Sequence, residues 1–269
     1  HNVRGANAFS YAELRERVAA VLENHKLSAF GGGRFLAKAG VIGGLTLLSY
    51  TGLMLALAFQ PAWAVIPFVS FLFWTVVLQF AVMHDASHSS VSSRGWINRT
   101  LAHSLSAVGC SALLWRHKHV DSHHMYTNVP GKDPDIATEG VFRFHAGDKW
   151  RPWHRLQHIY APLFYGLLAL KWVWRDDMND MLRNTYGMGA GQRTLGWFEI
   201  AGSRIWHVIM FLIVPLWIVP HPLWVIGGYL LFWGFLGLIV SVVFQLAHVT
   251  NVPAFPAELA TGSKWAEHQ

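Results

Sequence analysis

Four long apolar runs constrain the fold of this chain more than any other feature of its sequence. They cover residues 40–59, 63–83, 205–219 and 223–244. A helix of about 20 apolar residues crosses the ~30 Å hydrocarbon layer of a bilayer, because each residue adds ~1.5 Å. Short turns at 60–62 and 220–222 join the runs in pairs. The pattern predicts an all-α integral membrane protein with four transmembrane helices in two hairpins, rather than helices buried in a soluble core.

The charged residues agree with a membrane protein and predict its orientation. Only 13% of the chain is charged, against about 25% in soluble domains. All 21 Lys and Arg residues lie outside the two short turns. With four spans these basic segments share one side, which the positive-inside rule makes cytoplasmic. The net charge of +6 then suits the anionic surface of the bilayer, and we expect no nucleic acid partner.

This pattern predicts a single domain over residues 1–269. The sequence stops at Gln269 within a promising segment, so we interpret the domain as incomplete at its C-terminus. Its parts are listed here: an N-terminal cytoplasmic segment (1–39), the first hairpin (40–83), a cytoplasmic and interfacial helical cap (84–204), the second hairpin (205–244) and the start of a C-terminal cytoplasmic segment (245–269). A capping box from Ser10 to Glu13 predicts an amphipathic helix through Asn24. Two semi-apolar stretches of the cap, 101–114 and 159–174, are predicted to be interfacial helices.

Histidine is unusually frequent, with 16 residues, and it is the commonest metal ligand. His84 and His88 stand at the cytoplasmic end of the second apolar run. Residues four apart share one face of a helix, so both imidazoles can reach one metal ion. Asp85 between them is a candidate for orienting an imidazole from outside the ligand shell. One such pair by itself is weak evidence for a metal site.

A second cluster strengthens the case for metal. His119, His123 and His124 follow an H-x-x-x-H-H spacing, in which His119 and His123 share a helix face and His124 can turn to a neighbouring ion. Five histidines in two clusters favour a dinuclear site over a single zinc ion. Imidazole binds iron, zinc and copper, so the spacing does not choose the metal. His248, at the cytoplasmic end of the fourth run, is a further candidate ligand.

These motifs together resemble those of the membrane fatty acid desaturases, in particular the front-end and bacterial acyl-CoA types. The resemblance rests on His84 to His88, Trp115, the H-x-x-x-H-H cluster, Tyr126-Thr127-Asn128 and Asp133-Pro134-Asp135. It implies two iron ions and O2 as co-substrate. The iron ligands that it implies are His84, His88, His119, His123, His124 and His248. It also implies that Asn128 and Asp135 orient ligands or line the site.

The last histidine box of the family, H-x-x-H-H or Q-x-x-H-H, does not occur in this chain. His268 stands in what looks like the run-up to it and is interpreted as a bystander. We therefore expect the chain as given to be inactive unless the protein continues. Seven histidines outside the boxes are interpreted as structural or interfacial: His103, His117, His145, His154, His158, His207 and His221.

The reaction implied by the resemblance introduces a cis double bond into a long acyl chain bound to coenzyme A or a lipid. An unactivated C–H bond has no acidic proton, so the cofactor must perform the difficult step. The chain carries no motif for a flavin, a nicotinamide or a fused haem domain. Its electrons are therefore expected from a separate ferredoxin or a small cytochrome with its reductase.

Other functions remain open at this stage. The same scaffold supports hydroxylation, acetylenic bond formation or sphingolipid modification, which the motifs separate poorly. A membrane haem protein would place paired histidines near the middle of its spans, whereas these gather at the ends. A metal transporter would need polar residues through its spans, and the run 40–59 has almost none.

Overall fold

The computed structural model describes residues 11–249 and 255, without the side chains of Tyr11 and His248. Within these residues the chain is helical and contains no strand. The helices are α1 (Tyr11–Asn24), α2 (Gly32–Phe59), α3 (Val65–Leu78), α4 (His84–Ser87), α5 (Gly95–Ala102), α6 (Ser104–Ala107), α7 (Ala112–Arg116), α8 (Gln157–Lys171), α9 (Asp177–Arg183), α10 (Ala190–Val208), α11 (Val214–Ile218) and α12 (Pro222–His248). Helix α1 confirms the predicted N-terminal helix, although Ser10 of its capping box lies outside the described residues.

Among the described residues, four helical segments are long and apolar enough to cross a membrane, which confirms the predicted spans. They are Gly32–Phe59, Val65–Ser87, Ala190–Ile218 and Pro222–Ala247, with 28, 23, 29 and 26 residues. Each exceeds the roughly 20 residues that the hydrocarbon layer requires. The first and third begin well before the predicted 40 and 205, because polar helical turns precede their apolar parts. These two helices are therefore longer than the apolar runs from which they were predicted.

The predicted interfacial stretch 159–174 packs along the fourth span. A Cβ atom on Gly237 of α12 would lie 2.7 Å from the Gly166 carbonyl oxygen of α8, so only glycine permits this approach. Ser241 donates a hydrogen bond to the Tyr165 carbonyl, at 3.3 Å. Farther along, Trp174 Nε1 donates to the Tyr229 hydroxyl, at 2.9 Å. The contacts run in opposite directions along the two segments, so α8 and α12 are antiparallel.

The other predicted interfacial stretch, 101–114, is broken into short helices. Gly109 has φ +95, and a Cβ atom there would lie 2.6 Å from His207 Nδ1 in the third span. His207 is fully buried, donates from Nδ1 to the Val108 carbonyl at 3.0 Å, and accepts at Nε2 from the Tyr229 hydroxyl at 2.8 Å. The glycine thus lets this loop reach the third span.

In the part of the chain that the structure describes, four π-helical turns interrupt the α-helices. Such turns often mark functional sites. They are Gln79–Met83, His117–His123, Trp172–Asp176 and Ile209–Ile213. The first leads directly into His84, and the second contains the start of the second histidine cluster. The main apolar core lies between the two hairpins and is rich in aromatic side chains.

Candidate metal centre

The first histidine pair lies where the second span ends. The π-helical turn Gln79–Met83 leads into α4, which starts at His84, and His88 follows its last residue. The two imidazole centroids are 4.7 Å apart, so the predicted common face is confirmed. Asp85 lies 3.4 Å from His84 Nδ1 and 3.7 Å from Lys38 Nζ, and 40% of its side chain is exposed.

The second cluster lies on the π-helical turn His117–His123 and not on the α-helix that the spacing predicted. The His124 amide donates to the His119 carbonyl at 3.0 Å, the i to i+5 bond of a π-helix. Residues four and five positions on therefore both lie beside His119. Its ring centroid is 5.5 Å from that of His123 and 4.5 Å from that of His124. All three imidazoles of the motif meet at one place.

The two clusters come together around His119. Its ring centroid is 4.9 Å from His84 and 5.2 Å from His88, while His88 and His124 are 4.6 Å apart. Four ligand atoms, from His84, His88, His119 and His124, lie within 4.8 Å of one another. A second such group consists of His119, His123 and Asp135. The two groups overlap at His119, and each could hold a metal ion.

The distances within the first group fit a metal ion. His119 Nε2 and His124 Nε2 are 3.1 Å apart. Two nitrogens bound ~2.1 Å from one ion at tetrahedral or octahedral angles lie roughly 3.0–3.4 Å apart. Within the described residues, His88 Nε2 is buried and has no hydrogen-bond partner. A metal ion would give this nitrogen the partner that burial demands.

The electrostatics keep these imidazoles in the form that binds metal. Burial lowers the pKa of His119 to about 2, and the neighbouring histidines add to this shift. Burial also lowers the pKa of His88, and His84 acts in the same direction. Both rings are therefore neutral near neutral pH, which is the protonation state of a histidine ligand.

Asp133 is a site residue that the sequence analysis did not single out. It is buried, and its Oδ1 atom accepts a hydrogen bond from His123 Nδ1 at 2.9 Å. The backbone amides of Asn128 and Asp135 donate to the same carboxylate at 2.7 and 2.9 Å. A carboxylate on Nδ1 fixes the tautomer and leaves Nε2 for a metal. The first Asp of the D-P-D motif was the available signal.

The Asp133–His123 pair also shows shifted pKa values. Burial alone would lower the pKa of His123, but the hydrogen bond with Asp133 and the Asp135 carboxylate raise it overall. Burial alone would raise the pKa of Asp133, but the bond with His123 lowers it overall. The pair thus holds the Asp133 charge in a buried place beside the site.

The predicted orienting residues take different places. Asp135 lies 3.4 Å from His123 Nδ1 through its Oδ2 atom and 3.5 Å from Lys118 Nζ through its Oδ1 atom. Asn128 has φ +59, a left-handed conformation that suits Asn, and its backbone amide contacts Asp133. Asp85 is near His84 but exposed. For His248 only the backbone is described, and His268 lies outside the described residues.

An apolar cavity adjoins the histidines. Trp115 stacks on His119 with ring centroids 4.3 Å apart and planes at 12°, and Trp172 packs on Trp115 at 5.1 Å. Both indoles, with His84, Met83 and Leu236, line a narrow cavity of about 50 Å³ into which no polar atom is exposed. A cavity of this volume holds only a few water-sized groups. Its apolar lining suits a few methylenes of an alkyl chain better than a polar ligand.

Comparison with known proteins places this chain in a family. The fatty acid desaturase family model matches residues 41–269, and the chain belongs to that family. It is 29% identical to the sn-1 linoleoyl-lipid 6-desaturase of Arthrospira platensis over 70% of this chain and 52% of that protein. It is 28% identical to the acyl-lipid (8-3)-desaturase of Physcomitrium patens over 91% of this chain and 52% of that protein.

Another relative has a higher sequence identity over a shorter part of the chain. The Delta(5) fatty acid desaturase A of Dictyostelium discoideum is 42% identical over 35% of this chain and 21% of that protein. The chain spans about half the length of the first two relatives. No solved structure matches it significantly.

Proposed function

We propose that the protein introduces a cis double bond into a long acyl chain in an O2-dependent reaction at a di-iron centre. The observation that carries this proposal is that His84, one of a group of four histidines, lines a cavity with no exposed polar atom. The histidines can hold metal, while the cavity accepts hydrocarbon. Membership of the desaturase family supports the same reaction.

The proposed iron ligands are His84, His88, His119, His123, His124 and His248. Bound iron would supply the activation of O2 and the removal of two hydrogens that no side chain can perform. His119 would be a ligand in either of the two candidate groups, since it belongs to both. Asp133 would hold His123 with Nε2 toward the metal, and Asp85 and Asn128 would support the site from outside.

The other residues of the site position the acyl chain and exclude water. Trp115 covers one face of His119 and at the same time forms a wall of the cavity. Met83 and Leu236 complete a surface on which an alkyl chain replaces water favourably. The reacting methylenes would thus lie beside the histidines in a place that water does not enter.

The substrate is proposed to be a long-chain acyl group bound to a lipid or to coenzyme A. Two of the similar proteins are named as desaturases of lipid-linked acyl chains, which supports the lipid-linked form. The two electrons would come from a separate ferredoxin or from a small cytochrome with its reductase. We propose that the histidine clusters lie on the cytoplasmic face, because the basic segments share that side.

We also propose that residues 1–269 are part of one desaturase domain, with the region 84–204 as its cap. Expression from the complete reading frame in a desaturase-deficient host, with an electron donor, tests the proposed reaction. Gas chromatography of the host lipids should reveal a new cis-unsaturated acyl chain that disappears with His119→Ala. A hydroxylated product would mean that the protein catalyses hydroxylation and not desaturation. A purified protein without iron would contradict the di-iron centre.

A further inference from the structure

The third span carries a row of polar side chains on one face. Glu199, Ser203 and His207 follow one another at intervals of four residues on α10, so they share one face of the helix. Ser203 and His207 are buried, and the Glu199 side chain is only 14% exposed. All three are hydrogen-bonded to the segment 103–113. An ionisable side chain within an apolar span is costly to bury, which points to a function for Glu199.

Glu199 binds the beginning of α7. Its Oε1 atom accepts hydrogen bonds from the Ala112 and Leu113 amides, the latter at 3.3 Å. The Ser106 hydroxyl donates to the same oxygen at 3.3 Å, and His103 Nδ1 lies 3.5 Å from it. One carboxylate oxygen thus joins two helices, α6 and α7, to the third span.

The four backbone amides at the start of α7, from Ser111 to Leu114, all have side-chain acceptors. Asp177 accepts from the Ser111 amide at 2.7 Å, and Glu199 accepts from the next two. The Ser111 hydroxyl accepts from the Leu114 amide at 3.2 Å. Such amides have no partner within the helix itself. An ordinary cap residue satisfies one of them, whereas here two carboxylates from other helices satisfy three.

The place of α7 depends on these carboxylates. The helix has only five residues, too few to be stable in isolation. Its Trp115 stacks on His119 and lines the apolar cavity, and the chain continues directly into the π-helical turn His117–His123. A shift of α7 would therefore move the imidazole that belongs to both candidate ligand groups. Metal ligands must be held within about 0.5 Å of their working positions.

We propose that Glu199 is a positioning residue for the metal centre and acts through α7 on Trp115 and His119. This inference rests on the proposed function, since it concerns the metal ligands of that site. The carboxylate of Glu199 bonds the backbone of α7 and not a candidate ligand. Its removal should therefore leave every ligand in the chain and change only their arrangement.

The test measures metal binding by the purified protein from its complete reading frame, with cobalt(II) as the probe. The visible absorption of cobalt(II) depends on the arrangement of its ligands, so it reports geometry as well as affinity. Glu199→Ala should weaken cobalt(II) binding by about tenfold, as is typical of residues outside the ligand shell, and should shift the absorption bands. Glu199→Gln should stay within about threefold of the wild type, because its amide oxygen can still accept from the two backbone amides.

Ser49→Ala is the matched control for a general loss of stability. Ser49 is buried, and its hydroxyl shares a hydrogen bond with the Ser70 hydroxyl at 2.8 Å, within the first hairpin. This variant should unfold at a lower temperature than the wild type. Its affinity for cobalt(II) and its absorption bands should be those of the wild type.

The outcomes separate the inference from the proposed function. A folded Glu199→Ala variant with the affinity and spectrum of the wild type would overturn the inference alone, and so would an equal loss of affinity in Ser49→Ala. If Glu199→Ala does not fold, Glu199→Asp decides, because it keeps the charge but withdraws the oxygen from α7. Unshifted bands in Glu199→Asp would then overturn the inference. A wild-type protein that binds no cobalt(II) would overturn the proposed metal centre and this inference with it.

Discussion

The two histidine clusters contain the same kind of side chain but are held in different ways. The first pair stands at the end of a span, where 34% of the His84 side chain and 40% of that of its neighbour Asp85 are exposed. In the second cluster, His123 and its partner Asp133 have no exposed side-chain surface. A carboxylate at the surface competes with water for its partner, whereas a buried one does not. Burial of the partner therefore decides how firmly an imidazole is oriented.

The largest effect should follow from removing the histidine that both clusters share. His119→Ala takes one ligand from each of the two candidate groups. We expect loss of activity and loss of most bound iron, measured by elemental analysis of the purified full-length protein. His158→Ala is the control, because this exposed histidine lies outside both clusters. If the iron content of His119→Ala were unchanged, His119 would not be a ligand that the two clusters share.

The free energy of unfolding should depend on pH through the buried carboxyl group of Asp177. Asp177 is buried, accepts hydrogen bonds from the Ser111 amide at 2.7 Å and from Trp172 Nε1 at 2.9 Å, and lies 3.3 Å from Arg204. Burial raises its pKa to about 6, although Arg204 opposes the shift. Because the pKa is higher in the folded state, protonation of Asp177 stabilises the fold. This contribution is fully present below pH 3.8, the ordinary pKa of an Asp side chain. The contribution is lost as the pH rises through about 6.

Asp177→Asn removes this titration. At ~1.4 kcal/mol per pKa unit, the stability of the wild type relative to the variant should fall by about 3 kcal/mol between pH 4 and pH 7. Thermal unfolding in detergent across this range measures the difference. Trp172→Phe is the matched control, because it removes a hydrogen-bond donor and no titrating group. A wild type and an Asp177→Asn variant with parallel pH profiles would contradict the prediction.

Replacing Asp133 and Asp85 by Asn compares most directly a buried and a more exposed carboxylate partner of a histidine. Asp133→Asn should weaken metal binding by about 10- to 100-fold, because the Nδ1 atom of His123 loses its charged acceptor. Asp85→Asn should change it by less than about threefold, because exposed ion pairs contribute little. Titration of the two purified variants with ferrous iron gives both values. Equal losses would mean that burial of the partner does not matter at this site.

The smallest effect is expected from the indole that covers His119. Trp115→Leu removes the stacked ring at 4.3 Å, a contact worth about 0.5–1.5 kcal/mol. Iron affinity should fall by roughly two- to tenfold, while Trp115→Phe should retain most of it. A Trp115→Leu variant that keeps wild-type affinity but loses activity would assign Trp115 to the acyl cavity alone.

Much of the architecture could be predicted because it depends on local or one-dimensional properties. The length of an apolar run decides whether it can cross a bilayer, and all four spans were found where such runs occur. The spacing of His84 and His88 was sufficient to place them on one face. The second cluster was predicted on an α-helix, but the structure has a π-helical turn there. That difference brings His124 beside His119.

The sequence by itself determined the four apolar helices, among the described residues, that are long enough to cross a membrane. It also determined two histidine clusters of metal-ligand spacing. Only the tertiary structure brought His84 and His119 together, 4.9 Å apart in space, and placed Asp133 on His123. It also packed Phe71, Phe211 and Phe232 of three separate spans against one another. The physical reason is the range of the interactions. Hydropathy and helical periodicity act between neighbours in the chain, whereas burial, carboxylate–imidazole bonds and ring packing depend on residues that only folding brings into contact.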